Sequence, residues 1–162
     1  MALPAWLKVR KQLGHQPIVA GRIGGSTPIL VERYLYQAID RTVSGLDTTG
    51  LLVQFGGAPV REGEPDNWRS MNLPSQSLLI PKGVSTHWHY SGTVDFAVMY
   101  FLEGGGSAMQ SLELLAQSRD SPLSFSDPLV GAAAQQLVGE LQKGPGADEG
   151  FMQRLAVVML EQ

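Results

Sequence analysis

From Val94 to Leu102 the large apolar side chains keep a strict period of two. Val94, Phe96, Val98, Tyr100 and Leu102 recur at every second residue, which places them on one face of a β-strand. Asp95, Ala97, Met99, Phe101 and Glu103 fall on the other face. That second face is mixed and not wholly polar, so the strand is expected to be covered in part on both sides and to lie near the middle of a sheet. Upstream, Leu78-Leu79-Ile80 is a short apolar strand, Pro81-Lys82-Gly83 a turn, and the run around His87-Trp88-His89 a further strand. That succession reads as the inner wall of a small β-barrel.

The same alternation of short strand and turn fills the first two thirds of the chain. Ile29 to Tyr36 follows Gly24, Gly25 and Pro28 and mixes β-branched with aromatic residues. Gly50 opens the run Leu51 to Phe55, closed by Gly56-Gly57-Ala58-Pro59, and Arg61 to Asp66 reads as a charged loop. Asn67 to Asn72 pairs back as a strand, and Ser77 to Ile80 follows Pro74. Turn signals about every ten residues predict a sandwich or a barrel.

After Gly104-Gly105-Gly106 the period changes to that of a helix. Met109, Leu112 and Leu115 or Ala116 form one stripe; Ser126-Asp127-Pro128 supplies an N-cap with proline in the first turn. Leu129, Val130, Ala133, Ala134, Leu137, Val138 and Leu141 make the next stripe, over 127–142, which ends before Gly144. Asp148 caps a last helix carrying Phe151, Leu155, Val158 and Met159. The stripe on 127–142 packs on its own domain or on a partner, with Gly131, Gly139 and the alanines permitting close helix approach. The expected division is 1–103 as barrel and 104–162 as a helical segment of the same domain. The pattern runs to Gln162 without a cap, as in a piece cut from a longer chain.

Bulk composition narrows the class. With 162 residues, 43% hydrophobic and 17% charged, the chain can bury one core and is far from the disordered class. Twelve basic and fifteen acidic side chains give a net charge of −3, and only Lys8, Arg10 and Lys11 cluster, so a nucleic-acid footprint is not expected in this segment. Cysteine is absent, which removes disulfides and thiolate chemistry. The N-terminus lacks the long apolar core of a leader, and no run reaches the roughly 18 apolar residues of a membrane helix; a cytoplasmic protein without a membrane partner is expected.

Candidate chemistry is sparse. On a strand His87 and His89 share a face with Cα atoms about 6.5–7 Å apart, close enough to hold one metal ion. His15 lies in an N-terminal segment, and neither Asp95 nor Glu103 is placed as a third ligand, so no metal and no cofactor is expected. Trp68, Trp88, Tyr34, Tyr36 and Tyr100 could line a cavity with Arg33, Gln54, Arg69 or His87 as polar anchors. From these, Arg33, Gln54, Trp68, His87, His89 and Tyr100 are the candidate ligand-binding residues. The glycine run 104–106 fits a connector better than a phosphate cradle, since neither a Walker sequence nor G-x-G-x-x-G is present. No G-x-S-x-G elbow occurs either, and no catalytic residue is assigned.

Taken in order, Leu52-Val-Gln-Phe-Gly-Gly-Ala-Pro-Val60, Trp68-Arg69, Ser77-Leu-Leu-Ile-Pro-Lys-Gly83, His87-Trp-His89 and Gly92-Thr-Val-Asp-Phe96 to Tyr100 resemble the N-terminal sensor domain of AraC-type bacterial transcriptional regulators. Ser126-Asp-Pro-Leu-Val130, the alanine-rich helix and Phe151 to Leu160 resemble the helical segment joining that sensor to its DNA-binding half. The resemblance covers roughly residues 15 to 162, and order and spacing carry it. It implies a mainly β fold with C-terminal α, a cupin-like barrel of jelly-roll type followed by a helical segment. It further implies a small-molecule effector, a homodimer formed through the C-terminal helices, and DNA contact only through a C-terminal domain with two helix-turn-helix units that this chain lacks. One departure stands out: in Pro81-Lys-Gly83-Val-Ser-Thr86 the cupin pattern P-x-G-x-x-H has threonine in the ligand position. The sequence therefore predicts the sensing and dimerisation domain of such a regulator. The alternatives are a small cupin enzyme, metal-dependent or not, that uses His87 and His89, and a stand-alone binding or dimerisation module.

Overall fold

The computed structural model describes residues 5–13, 16–25, 28–43, 48–57, 60–64, 67–72, 76–84, 86–102, 106–117 and 123–160. In chain order they form α1 (Ala5–Leu13), β1 (Val19–Ile23), β2 (Ile29–Val43), β3 (Gly50–Gly57), β4 (Val60–Glu64), β5 (Asn67–Asn72), β6 (Gln76–Ile80), β7 (Thr86–Phe101), α2 (Ser107–Gln117), β8 (Leu123–Ser126), α3 (Pro128–Leu141), a 3₁₀ turn (Gly144–Gly146) and α4 (Glu149–Leu160).

The strand pairs are nested. β2 pairs antiparallel with β7, β3 with β6 inside that, and β4 with β5 at the centre, as if one long hairpin had been rolled up. β7 also pairs with β3 along its second half and with β4 near its start, which joins the layers of the roll. This wrapping is that of a jelly roll, the architecture to which cupins belong. The fold is thus mainly β with C-terminal helices, as expected. Bulges interrupt the ladders between Gln37 and Ile39 on β2 and between Gln54 and Gly56 on β3. An extra residue at such points bends the strand and raises its twist, which lets 15- and 16-residue strands curl.

From Phe96 to Phe101 both faces of β7 are buried. Val94, Phe96, Val98 and Tyr100 join Leu30, Tyr34, Leu52, Leu78 and Ile80 in an interior cluster, against which α1 sets Trp6 and Val9. Ala97, Met99 and Phe101 join Ile29, Val31, Leu51 and Val53 on the opposite face, where α2, α3 and α4 lie. β7 runs between β2 and β3, the central place that its two apolar faces predicted. The Pro81-Lys-Gly turn is closed by Val84 N–H donating to Pro81 O at 3.2 Å. Gly83 there has φ +83°, a conformation that side chains with a Cβ rarely adopt.

The helices follow their caps closely. Asp127 accepts from Leu129 N–H at 2.9 Å with Pro128 in the first turn, and Asp148 accepts from Phe151 N–H at 3.1 Å. The stripes need correction in detail. On α3 Val130, Ala133, Ala134, Leu137 and Val138 are buried, but Leu129 is 44% exposed. On α2 Ala116 is buried and Leu115 faces outward. On α4 the predicted Met159 is buried and Leu155 packs partly against the core, but Met152 and Ala156 complete the buried face in place of Phe151 and Val158, and Phe151 lies beneath the Arg154 guanidinium at 6.0 Å. Against β1, α3 comes close because residue 21 is glycine: a Cβ there would stand 2.6 Å from Leu141 Cδ2.

Other elements differ from expectation. The charged stretch read as a loop carries β4, which pairs with β5. β2 extends past Tyr36 to Val43 because its far half pairs with the start of β7. β8, from beyond the glycine break at 104–106, adds to β6, so a strand from the C-terminal segment completes the edge of the sheet. Among the described residues no helix is long and apolar enough to cross a membrane.

Candidate functional site

Alternation on β2 puts Leu30, Glu32 and Tyr34 on the interior face, where Glu32 registers opposite Val98 and Tyr34 opposite Phe96. Glu32 is therefore a carboxylate set among apolar and aromatic side chains, with 0% exposure. Burying a charge without a partner is prohibitive, and two partners are supplied. The Arg10 guanidinium of α1 gives both Nε, at 2.6 Å, and Nη2 to Glu32 Oε2. The Tyr34 hydroxyl donates to Oε1 at 2.9 Å. The hydrogen bond to Glu32 raises the Arg10 pKa above its usual value, more than burial lowers it, so Arg10 is a permanent cation here.

Aromatic rings wall this carboxylate. Tyr34 stacks on Phe96 with centroids 5.5 Å apart, and Trp6 of α1 meets Tyr100 edge-on at 6.2 Å. From β1 the Arg22 guanidinium lies over the outer face of Trp6 at 5.5 Å. α1 thus covers the interior face with one aromatic, one aliphatic and one cationic side chain at positions 6, 9 and 10, which share a face of a helix.

The next residue of β2 points the other way. Arg33 donates from Nε to Asp95 Oδ1 at 2.9 Å and from Nη2 to Asp95 Oδ2 at 2.5 Å, a two-pronged pair across the β2·β7 ladder. Its Nη1 donates to Gln142 Oε1 at the end of α3, at 3.3 Å, and its guanidinium lies over the Phe55 ring at 5.6 Å. The bond to Asp95 raises the Arg33 pKa above normal. Close by, a cavity of about 330 Å³ opens between β3, β8 and α3, bordered by Gln54, Phe55, Ser126, Gly131, Ala132 and Gln135. A second gap of about 130 Å³ is lined by apolar side chains, among them Leu51, Leu79, Leu112, Leu123, Val130 and Met159.

The six candidate residues are distributed as follows. Tyr100 and Gln54 are fully buried; Tyr100 belongs to the interior cluster and Gln54 registers opposite Phe96, with its Nε2 donating to Gly56 O at 3.3 Å. Arg33 lies on the helix-covered face, so it is not brought together with Tyr100. Trp68 sits in β5 and His87 and His89 in β7, where His89 registers opposite Asp40 and Arg61; their side chains lie outside the described residues. Among the described residues no three His, Asp or Glu gather as a metal would require. Glu32 and Arg10, paired on the interior face, were not among the sequence candidates. The available signal was a glutamate flanked at i±2 by Leu30 and Tyr34.

A scan against protein-family models finds no match, and neither does a search of curated proteins. Solved structures do match. The AraC-like transcriptional activator CuxR aligns over 96% of this chain and 63% of its own, with TM-score 0.62 and 9% identity. ToxT from Vibrio cholerae aligns as apo K231A over 83% of this chain and 54% of its own, with TM-score 0.55 and 12% identity. Another ToxT crystal form gives 78% and 52%, with TM-score 0.50 and 10% identity. The chain therefore shares its fold with part of AraC-like regulators and spans between about half and two thirds of their length.

Proposed function

We propose that this chain is the ligand-sensing and dimerisation part of an AraC-type transcription regulator. The observation that carries the reading is the likeness to the activator CuxR over nearly the whole chain, C-terminal helices included. A small effector binds the interior face, near Gln54 and Tyr100 and the strands that carry Trp68, His87 and His89. The helices on the opposite face are the output. Leu114, Leu115, Leu129 and Val158 are exposed on them, and a homodimer formed there would cover apolar surface of this kind. DNA is contacted by a further domain C-terminal to Gln162, in the cytoplasm. The effector acts by binding one of two arrangements of sheet and helices more tightly than the other, since only differential affinity can shift such an equilibrium.

The test is to read the coding sequence beyond the codon for Gln162 and to assay its full product on DNA. A basic region with two helix-turn-helix patterns, and a gel shift lost on its deletion, is the expected result. A product that ends without such a region refutes the regulator reading. Sedimentation of the 162-residue chain, with Leu114→Glu and Leu129→Glu as variants, checks the dimer surface.

A further inference from the structure

From the contacts of Glu32 we infer that the interior face is a receptor for a small organic cation, with Arg10 of α1 as an internal stand-in that occupies it. The inference rests on the sensing reading above and adds the chemical class of the ligand. Glu32 has no exposure, lies near the start of β2 on the same face as Tyr34, Phe96 and Tyr100, and draws its counter-charge from an element outside the sheet. The contrast with Arg33 and Asp95 is informative. That pair joins two long central strands, so neither partner can leave without unrolling the sheet. Arg10 is carried by a nine-residue helix, below the length of about 12–15 residues at which isolated helices become even marginally stable in water. α1 keeps its shape only while docked.

Among the described side chains the docking is held by Trp6 against Tyr100 and under Arg22, by Val9 in the interior cluster, and by Arg10 on Glu32. If α1 lifts, Trp6 and Val9 lose apolar contact, but the decisive penalty is the uncompensated carboxylate. A neutral molecule entering the same space leaves that penalty in place. A cation removes it. The vacated position offers a carboxylate oxygen that now accepts two N–H donors from a planar guanidinium, on a face that also carries Tyr34, Phe96 and Tyr100. An amidinium, guanidinium or ammonium group on an apolar or aromatic body reproduces both halves of what α1 supplies, the charge-assisted hydrogen bonds and the ring contacts.

Benzamidine is a probe of this chemistry, and benzamide its neutral counterpart of nearly the same shape. On the 162-residue chain, calorimetric titration and amide hydrogen exchange are read together. Saturating benzamidine is expected to speed exchange at residues 5–13, and benzamide to leave it unchanged. Arg10→Ala removes the internal competitor, so benzamidine should bind this variant about tenfold or more tightly than the parent, because the competent fraction no longer limits affinity. Glu32→Gln should lose the preference for benzamidine over benzamide. Equal binding of the two compounds to the parent, no binding to either parent or Arg10→Ala, or slowed exchange at residues 5–13 would overturn the proposal. Should a variant fail to fold by circular dichroism, exchange in the parent chain decides alone. A helix-turn-helix region beyond Gln162 without a benzamidine response removes the cation and keeps the sensor; the converse pair of results keeps the cation site and removes the regulator.

Discussion

The Arg33–Asp95 pair gives the sharpest quantitative test of how the two long strands β2 and β7 are tied together. Arg33→Met, Asp95→Asn and the double variant form a cycle whose coupling isolates the pair from everything else either residue touches. Both side chains are about a quarter exposed, at 24% and 22%. Exposed ion pairs couple by about 0.2–1 kcal/mol, whereas removing one member of a buried pair costs about 3–5 kcal/mol. Two charge-assisted hydrogen bonds at 2.9 and 2.5 Å place this pair between those limits. A coupling of about 1–2 kcal/mol follows. The single variants should be unequal. Arg33→Met also forfeits the Phe55 contact, worth about 0.5–1 kcal/mol, and the bond to Gln142, while Asp95→Asn retains both. Urea unfolding followed by circular dichroism at neutral pH, at fixed m, measures all four corners. For a domain of this size each 1 kcal/mol moves the melting temperature by about 2–4 °C. A coupling below about 0.3 kcal/mol, the margin within which independent sites add, would refute the pair as a structural tie.

Other outcomes follow from single contacts. Leu137→Ala on α3, at a side chain with no exposure, should destabilise by about 2–5 kcal/mol in urea, the range for buried leucine deletions. Asp127→Ala removes the acceptor for Leu129 N–H and should lower stability by about 1 kcal/mol in the same assay, with Asp127→Ser close to the parent. Glu140 accepts from the Lys143 ammonium at 2.9 Å and from Asp148 N–H at 2.8 Å, and these two bonds, the first the larger, lower its pKa below the ordinary 4.5. A depressed carboxylate stabilises the fold at pH above its unfolded value, and that contribution is lost as pH falls through the folded value. Melting temperature plotted against pH should therefore fall less steeply on the acid side in Glu140→Gln than in the parent.

What could be read from the sequence was whatever is written within one element. The two apolar faces of residues 94–102 set that strand at the centre, and Asp127-Pro128 marked the start of α3 to the residue. What is written between elements was less legible. Arg33 and Tyr100 are each candidate anchors, yet they lie on opposite faces because the antiparallel register sets Tyr34 against Phe96 and Arg33 against Ala97. Neither strand alone contains that parity. β4 was hidden by Glu62, Gly63 and Glu64, residues typical of turns that here pair because β5 and β7 flank them. α1 was not assigned: Trp6, Val9 and Leu13 recur at helical spacing, but Lys8, Arg10 and Lys11 were weighed only as a basic cluster. Glu32 was missed because a carboxylate in a strand ordinarily marks the wet face, and its counter-ion lies 22 residues upstream.

Glu32 and Arg33 are neighbours on one strand, about 3.8 Å apart at Cα, and they face different layers. Whatever displaces β2 at the α1 side is thus carried to the helix side with no intervening element. Two routes lead on to α3, and their strengths differ. The hydrogen bond from Arg33 to Gln142 is long, at 3.3 Å, and exposed, so it contributes no more than about 0.5–1.5 kcal/mol. The other route is packing: Val31, Val53, Ala97 and Met99 lie with no exposure in the same cluster as Ala134 and Leu137 of α3. Where the layer is filled, close-packed side chains leave no free volume to absorb a shift of the strands beneath them. Because Ala133, Ala134 and Gly21 let α3 approach the sheet, with little side chain between them, the helix answers to the backbone of the strands more than to any one polar contact. Through that packing α3 is seated on β3, β1 and β6, and the polar tie at Arg33 adds little to it.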